Sequence, residues 1–295
     1  MKTIIAKLIG LYFNVLAWVA PRKAAQQGFL FFCTPQKSTV KDHQQRFLDT
    51  ADKMRFLFDG YRIQSYRWGH GPKKVLFLHG WGSHSYRWKN YIEALDPSRF
   101  TVYAFDAPAH GNSGGKHLNL QIYSLALETF LNLVGPMNAV VGHSLGSFAA
   151  LYTLHRLGDR HAVDELVVTA PPGEATEFVL FYQSALGLSE RSVRLINEAF
   201  LHNVQNLPGY FSAKKFALNL PVAGLIVADD GDVETPWHHA ESIHRVWPGS
   251  RLITTRGLGH NLRSREVVAH VVDFISHDAS RELWNSLQVK EVQAN

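Results

Sequence analysis

VVGHSLGS, residues 140–147, sets a serine between two glycines behind an apolar run. By itself G-x-S-x-G is a weak pattern, and Ser144 is one more serine in a glycine-flanked loop unless the rest of the chain supplies its partners. The neighbouring residues favour the stronger reading. AVVGH (139–143) reads as a strand and residues 145–157 as a helix, which places Ser144 on a strand-to-helix turn of the nucleophile-elbow kind. Gly142 and Gly146 permit that strained turn and close packing around it. The start of the helix lies under the serine, so the Leu145 amide can face an oxyanion developing there.

Working outward, strands and helices alternate. MRFLFDG and YRIQSYRWG form a hairpin about Asp59-Gly60, and VLFLHG (75–80) is a continuous apolar run, as expected for a strand covered on both faces. Further strands are expected at 100–106, 165–172, 222–230 and 251–255, with helices near 84–95, 119–134, 236–247 and 264–276. Such alternation implies an α/β fold: a mostly parallel sheet, helices on both faces and right-handed crossovers. Residues 172–219 break the rhythm with helical patches at Phe178–Leu186 and Val193–Phe200, and an insertion there is placed to act as a lid, or is simply a long crossover.

A serine hydroxyl needs a base, and the base needs an orienting acid. RGLGHN follows the last strand and puts His260 in a glycine-rich turn, whereas His270 and His277 fall on the helix beyond it. VADDGDVETP offers Asp229, Asp230 and Asp232; the spacing D-x-x-x-P, with Pro236 opening the next helix, selects Asp232, and leaves its neighbours on the strand end where one orients the loop. LHGWG (78–82) ends the first parallel strand, and the backbone amide of Trp81 is the candidate second oxyanion donor. Both amides lie at the sheet edge where open α/β sheets collect ligands.

Taken in order, FLHGWG, FDAPAHGNSGG, VVGHSLGS, DVETP and GLGH resemble the α/β-hydrolase superfamily, in its single-domain serine esterase/lipase branch, over about 55–278. The chain order Ser, Asp, His is the one that fold uses. The resemblance implies a triad of Ser144, Asp232 and His260, oxyanion amides at Trp81 and Leu145, a cap at 172–219, and a site floor shaped by FDAPAHGNS. Ala109 stands where that motif often carries glycine, a replacement expected to be harmless. The implied reaction is hydrolysis of a carboxylic ester of short- to medium-chain acid, with no cofactor and a small-molecule partner bearing an apolar acyl chain. Alternatives are a membrane-associated lipase or thioesterase, a peptidase using Glu174, Glu177, Glu190 or Glu198 to hold an amine, and a non-catalytic binding protein on the same fold.

Composition narrows the field further. The lone Cys33 excludes an internal disulfide framework and suits a reducing, cytoplasmic setting; no H-E-x-x-H or C-x-x-C motif suggests a metal, and no nucleic-acid module is present. The set His238, Glu241, His244 has helical spacing and reads as a solvated face. Of 30 Lys/Arg and 25 Asp/Glu, nine and four lie in residues 1–60, so the remainder is neutral and the net +5 belongs to the N-terminal part. That part is read as an amphipathic helical arm (1–54), with Ile4, Ile5, Leu8, Ile9, Tyr12, Phe13, Leu16 and Val19 around a thin polar stripe of Thr3, Lys7, Gly10 and Asn14. Three readings stand for it: a helical pair packed on the catalytic domain, an interfacial anchor making peripheral membrane contact through residues 1–32 at the inner membrane face, or a signal segment with Trp18 poorly suited to its cleavage site. Residues 279–295 are read as a tail.

Overall fold

The computed structural model describes residues 2–36, 38–160 and 162–277; the expected tail at 279–295 lies outside the described residues. Helices α1 (Lys2–Val19), α2 (Pro21–Phe32) and α3 (Asp42–Leu48) precede a hairpin of β1 (Asp52–Phe58) and β2 (Tyr61–Trp68). The alternating part follows: β3 (Lys73–Leu78), α4 (Lys89–Ala94), β4 (Phe100–Phe105), α5 (Leu120–Val134), β5 (Met137–His143), α6 (Leu145–Leu157) and β6 (Val163–Thr169). Next come three helices of the insertion, α7 (Ala175–Leu186), α8 (Glu190–Val204) and α9 (Ala213–Ala217). The chain then returns through β7 (Ala223–Asp229), α10 (Trp237–His244), β8 (Ser250–Thr255) and α11 (Arg265–Ser276).

The strands form one eight-stranded sheet in the order β1-β2-β4-β3-β5-β6-β7-β8. The hairpin is antiparallel and joins β4 antiparallel, whereas every pairing from β4 through β8 is parallel. A strand's side chains alternate between faces, so a fully apolar run feeds two cores at once. On β3, Leu76 and Leu78 enter the core beneath α5 and α6 with Tyr123, Phe130 and Phe148; Val75 and Phe77 enter the opposite core with Trp88, Val271 and Phe274. β6 stops at Thr169, three residues short of expectation, because Ala170 turns to φ 46° and its amide crosses to the Val227 carbonyl. That early turn releases the chain into the insertion at the carboxyl edge of the sheet.

α1 and α2 pack against the insertion. Phe29 and Phe32 of α2 meet Phe200 of α8 edge-on, with ring centroids 4.9 and 5.3 Å apart, and Tyr182 of α7 donates to the Gly28 carbonyl. Along α1 the inward residues are Gly10, Phe13 and Ala17, accompanied by Asn14. Among the described residues, no helix is long and apolar enough to cross a membrane.

Candidate active site

Ser144 occupies the turn between β5 and α6 at φ 52°, ψ −122°, a left-handed conformation that costs an L-residue about 1–2 kcal/mol and persists only where its surroundings impose it. Two close approaches impose it. A Cβ on Gly142 would lie 2.6 Å from the Ser147 backbone, and one on Gly146 would collide with the carbonyls of Leu78 and His79. Ser147 fastens the turn from inside, its hydroxyl paired with the Thr169 backbone at 3.1 Å.

Two other loops meet this turn. His260, between β8 and α11, lies with Nε2 3.0 Å from Ser144 Oγ and Nδ1 2.9 Å from Asp232 Oδ2. Asp232, after β7, is buried. Burial alone would raise its pKa, but the hydrogen bond from His260, the Thr235 backbone amide and the Thr235 hydroxyl outweigh it, and the carboxyl is held down at about 2. The Asp232 carboxylate is thus an ionised acceptor at neutral pH. The imidazole is therefore spanned by a hydroxyl on one nitrogen and a fixed negative charge on the other, with Nδ1–H donating to the carboxylate and Nε2 free to accept.

Residues outside the expected set hold these loops. Thr235 Oγ1 lies 2.7 Å from Asp232 Oδ2, 3.1 Å from His260 Nδ1 and 3.2 Å from the Ala170 carbonyl, so one hydroxyl ties the acid, the imidazole and the end of β6 together. Its signal was present in the sequence: an Asp accepting from residues two and three ahead is a common turn device, here realised by the amides of Glu234 and Thr235. Asp229 is buried at the end of β7 and receives Thr255 Oγ1, the Leu258 amide and the Gly231 amide, joining the loop of Asp232 to the loop of His260. Pro236 caps α10 rather than occupying its first turn, because its ψ of 140° is extended. Glu234 is exposed, with its carboxylate 3.7 Å from His260 Nε2. Arg87 donates to the Asn261 carbonyl at 2.7 Å, and burial pushes its guanidinium down to about 10.

The Trp81 loop lies against the serine: a Cβ on Gly80 would stand 3.0 Å from Ser144 Cβ. Two buried histidines fix it. His79 pairs Nδ1 with the Gly80 carbonyl and accepts from the Ala107 amide on Nε2; His110 pairs Nδ1 with the Pro108 carbonyl and accepts from the Gly82 amide on Nε2. Burial pushes both below the usual histidine range, and a neutral ring is what that donor-acceptor pattern requires. Among the described residues, neither the Trp81 nor the Leu145 amide donates a hydrogen bond within the protein. Asp106 anchors the floor, accepting from Ser85 N and Oγ, Asn112 N and Tyr66 OH. Ala109, in the same floor, adopts φ 66°, so the expectation that alanine is harmless there is corrected: the position is left-handed, and a Cβ strains it. Of the acidic residues considered for an amine, Glu174 accepts from Ser212 Oγ and Glu177 pairs with His239 Nε2 at 3.0 Å, while Glu190 and Glu198 line a groove on the insertion.

A family model described as alpha/beta hydrolase fold matches residues 73–211, from the first parallel strand through most of the insertion. The chain has the α/β-hydrolase fold. The chain is 28% identical over 152 residues to an esterase of Mycobacterium tuberculosis, covering 50% of this chain and 47% of that protein. It is 36% identical over 97 residues to the dihydrolipoyllysine-residue acetyltransferase component of the acetoin cleaving system of Cupriavidus necator, covering 31% of this chain and 25% of that one. The chain thus spans from a quarter to about half of the length of these curated relatives. A solved membrane phospholipase A superposes over 95% of this chain and 99% of its own, with a TM-score of 0.62 and 15% identity, a likeness of fold alone.

Proposed function

We propose that the protein is a serine hydrolase that cleaves a carboxylic ester through Ser144, His260 and Asp232. The observation that carries this reading is the unbroken hydrogen-bonded chain from the Ser144 hydroxyl through His260 to the ionised Asp232. Ser144 Oγ attacks the acyl carbonyl carbon as its proton passes to His260 Nε2. The carbonyl oxygen takes the negative charge between the amides of Trp81 and Leu145, each donor lowering the barrier by about 3 kcal/mol. Collapse breaks the bond to the alcohol oxygen, which leaves with the proton from His260. Water repeats the sequence on the acyl-enzyme: its proton goes to His260, the acid departs, and Ser144 is restored. Asp232 accepts from Nδ1–H throughout and stabilises the imidazolium without taking the proton. No cofactor enters the cycle.

The substrate class is a small ester with a short- to medium-length apolar acyl chain, for which the relatedness to an esterase and the helical insertion, read as a cap over 172–219, are the support. A cytoplasmic setting, with residues 1–32 touching the inner face of the membrane, belongs to the same proposal. The test is hydrolysis of p-nitrophenyl esters from acetate to palmitate by the wild type, Ser144→Ala and His260→Ala. Each variant is expected to lose at least about 10³-fold in turnover while remaining folded. Normal turnover by Ser144→Ala would overturn the assignment.

A further inference from the structure

Helix α1 turns Phe13, Ala17 and its polar stripe inward and leaves most of its large apolar side chains outside. Its polar stripe points into the protein: Lys7 Nζ donates to the Ser184 carbonyl at 2.8 Å, and Asn14 donates to the Gly187 carbonyl at 2.9 Å. The same Asn14 accepts from the Ser189 amide and the Ser192 hydroxyl, each at 2.8 Å. Between them Gly10 lies so close to Leu186 that any Cβ would collide with its carbonyl. Arg191 closes the far end, its Nε donating to the Ala17 carbonyl and its guanidinium over the Trp18 ring at 4.4 Å. The apolar face is left outside. Ile4, Ile5, Leu8, Leu11, Tyr12 and Val15 are each half or more exposed, and Trp18 and Val19 reach 72% and 73%. On α7, the helix α1 packs against, Leu180 and Phe181 are 61% and 75% exposed. A row of large apolar side chains on one helix face is far beyond the scattered exposure of an ordinary surface.

We infer that this outward face of α1 is a docking surface for a bilayer carrying anionic lipid, on which the helix lies in the plane of the membrane. Charge argues for the occupant: residues 1–41 hold six Lys/Arg (Lys2, Lys7, Arg22, Lys23, Lys37, Lys41) and no Asp or Glu, and Arg22 and Lys23 are exposed at the start of α2. Basic residues beside an apolar helix face add headgroup attraction to apolar burial. Tyr12 and Trp18 carry a polar tip on an apolar body, the side chains favoured at the membrane–water boundary. In-plane docking follows from the seam. An 18-residue helix is short for a span of about 20 residues, and crossing would require breaking the bonds of Lys7 and Asn14 to the insertion and that of Arg191 to Ala17. Docked through α1, the protein holds its insertion, and with it the sheet edge of Ser144, close to the lipid.

Vesicle sedimentation of the full chain tests this. Phosphatidylcholine vesicles with about one-quarter phosphatidylglycerol are compared with phosphatidylcholine alone, at about 0.1 M and about 0.5 M salt. The wild type is expected to pellet with the anionic vesicles, less so at high salt, and L8E/L11E to lose at least about tenfold in partitioning. Both leucines are exposed, so that variant is expected to keep wild-type hydrolysis of a soluble p-nitrophenyl ester, whereas Ser144→Ala is expected to pellet like the wild type. Docking and catalysis therefore fail separately. Three outcomes would overturn the inference: no pelleting of the folded wild type, pelleting unaffected by the double substitution, or a dimer in light scattering that L8E/L11E dissociates without any vesicle binding. The last would mean that a second copy covers the face.

Discussion

At the edge of the sheet, Ser144, His260 and Asp232 converge from three loops; on α1, Lys7, Gly10 and Asn14 converge on the insertion from one helix face. Both places are polar seams, and both follow the rule that buried polar groups find partners. They differ in what they leave outside. The first seam leaves a hydroxyl in contact with an imidazole, the second a row of leucines, isoleucines and aromatics half or more exposed. The one site holds groups against their preference: a serine at positive φ, a carboxylate kept charged under burial. At the other site the unsatisfied quantity is apolar surface, which calls for a partner rather than a reaction.

The sharpest way to break this contrast is to disturb the charge behind the imidazole. Asp232→Asn keeps the shape but offers His260 Nδ1 an amide, and turnover is expected to fall by about 10³–10⁴-fold with the fold intact. A loss below tenfold would show that the carboxylate does not orient the base. The same group links to folding. Because its pKa is lowered from 3.8 to about 2, its contribution to stability is complete above the ordinary carboxylate range and is lost as pH falls from about 4 towards 2. Urea midpoints of the wild type are expected to drop across that window more steeply than those of Asp232→Asn.

The second effect is smaller and belongs to the arm. Asn14→Ala strands the Gly187 carbonyl, the Ser189 amide and the Ser192 hydroxyl, and is expected to cost about 2 kcal/mol. Amide exchange should accelerate in α1 and around 187–192 while β5 keeps its protection; unchanged exchange would mean that the seam does not fasten the helix. The smallest effect sharpens the site's floor. Ala109→Gly relieves a left-handed alanine at φ 66° and is expected to stabilise by up to about 1 kcal/mol, partly offset by the freer unfolded chain, as read from the thermal midpoint.

Much of the sheet edge was legible because its constraints are local. Glycines flanking a serine, an aspartate a few residues before a proline, and a histidine in a glycine turn each announce a backbone that few residues tolerate, and their order along alternating strands fixes which edge they share. The supporting groups were harder to see. His79 and His110 act through bonds to backbone amides of other loops that only the fold brings close. Ala109 was read as harmless because composition does not carry φ. On α1, periodicity divided apolar from polar positions but could not say which side faces in. That depends on Ser184, Gly187 and Ser189, more than 170 residues away, offering backbone partners to Lys7 and Asn14.

The most direct test of the central claim is covalent labelling with a fluorophosphonate, located by mass spectrometry of peptides from the wild type and His260→Ala. A serine activated by its imidazole should give a single adduct on the peptide carrying Ser144, and that adduct should vanish when His260 is removed. An unlabelled Ser144 in the folded wild type, or labelling equally strong without His260, would contradict the account.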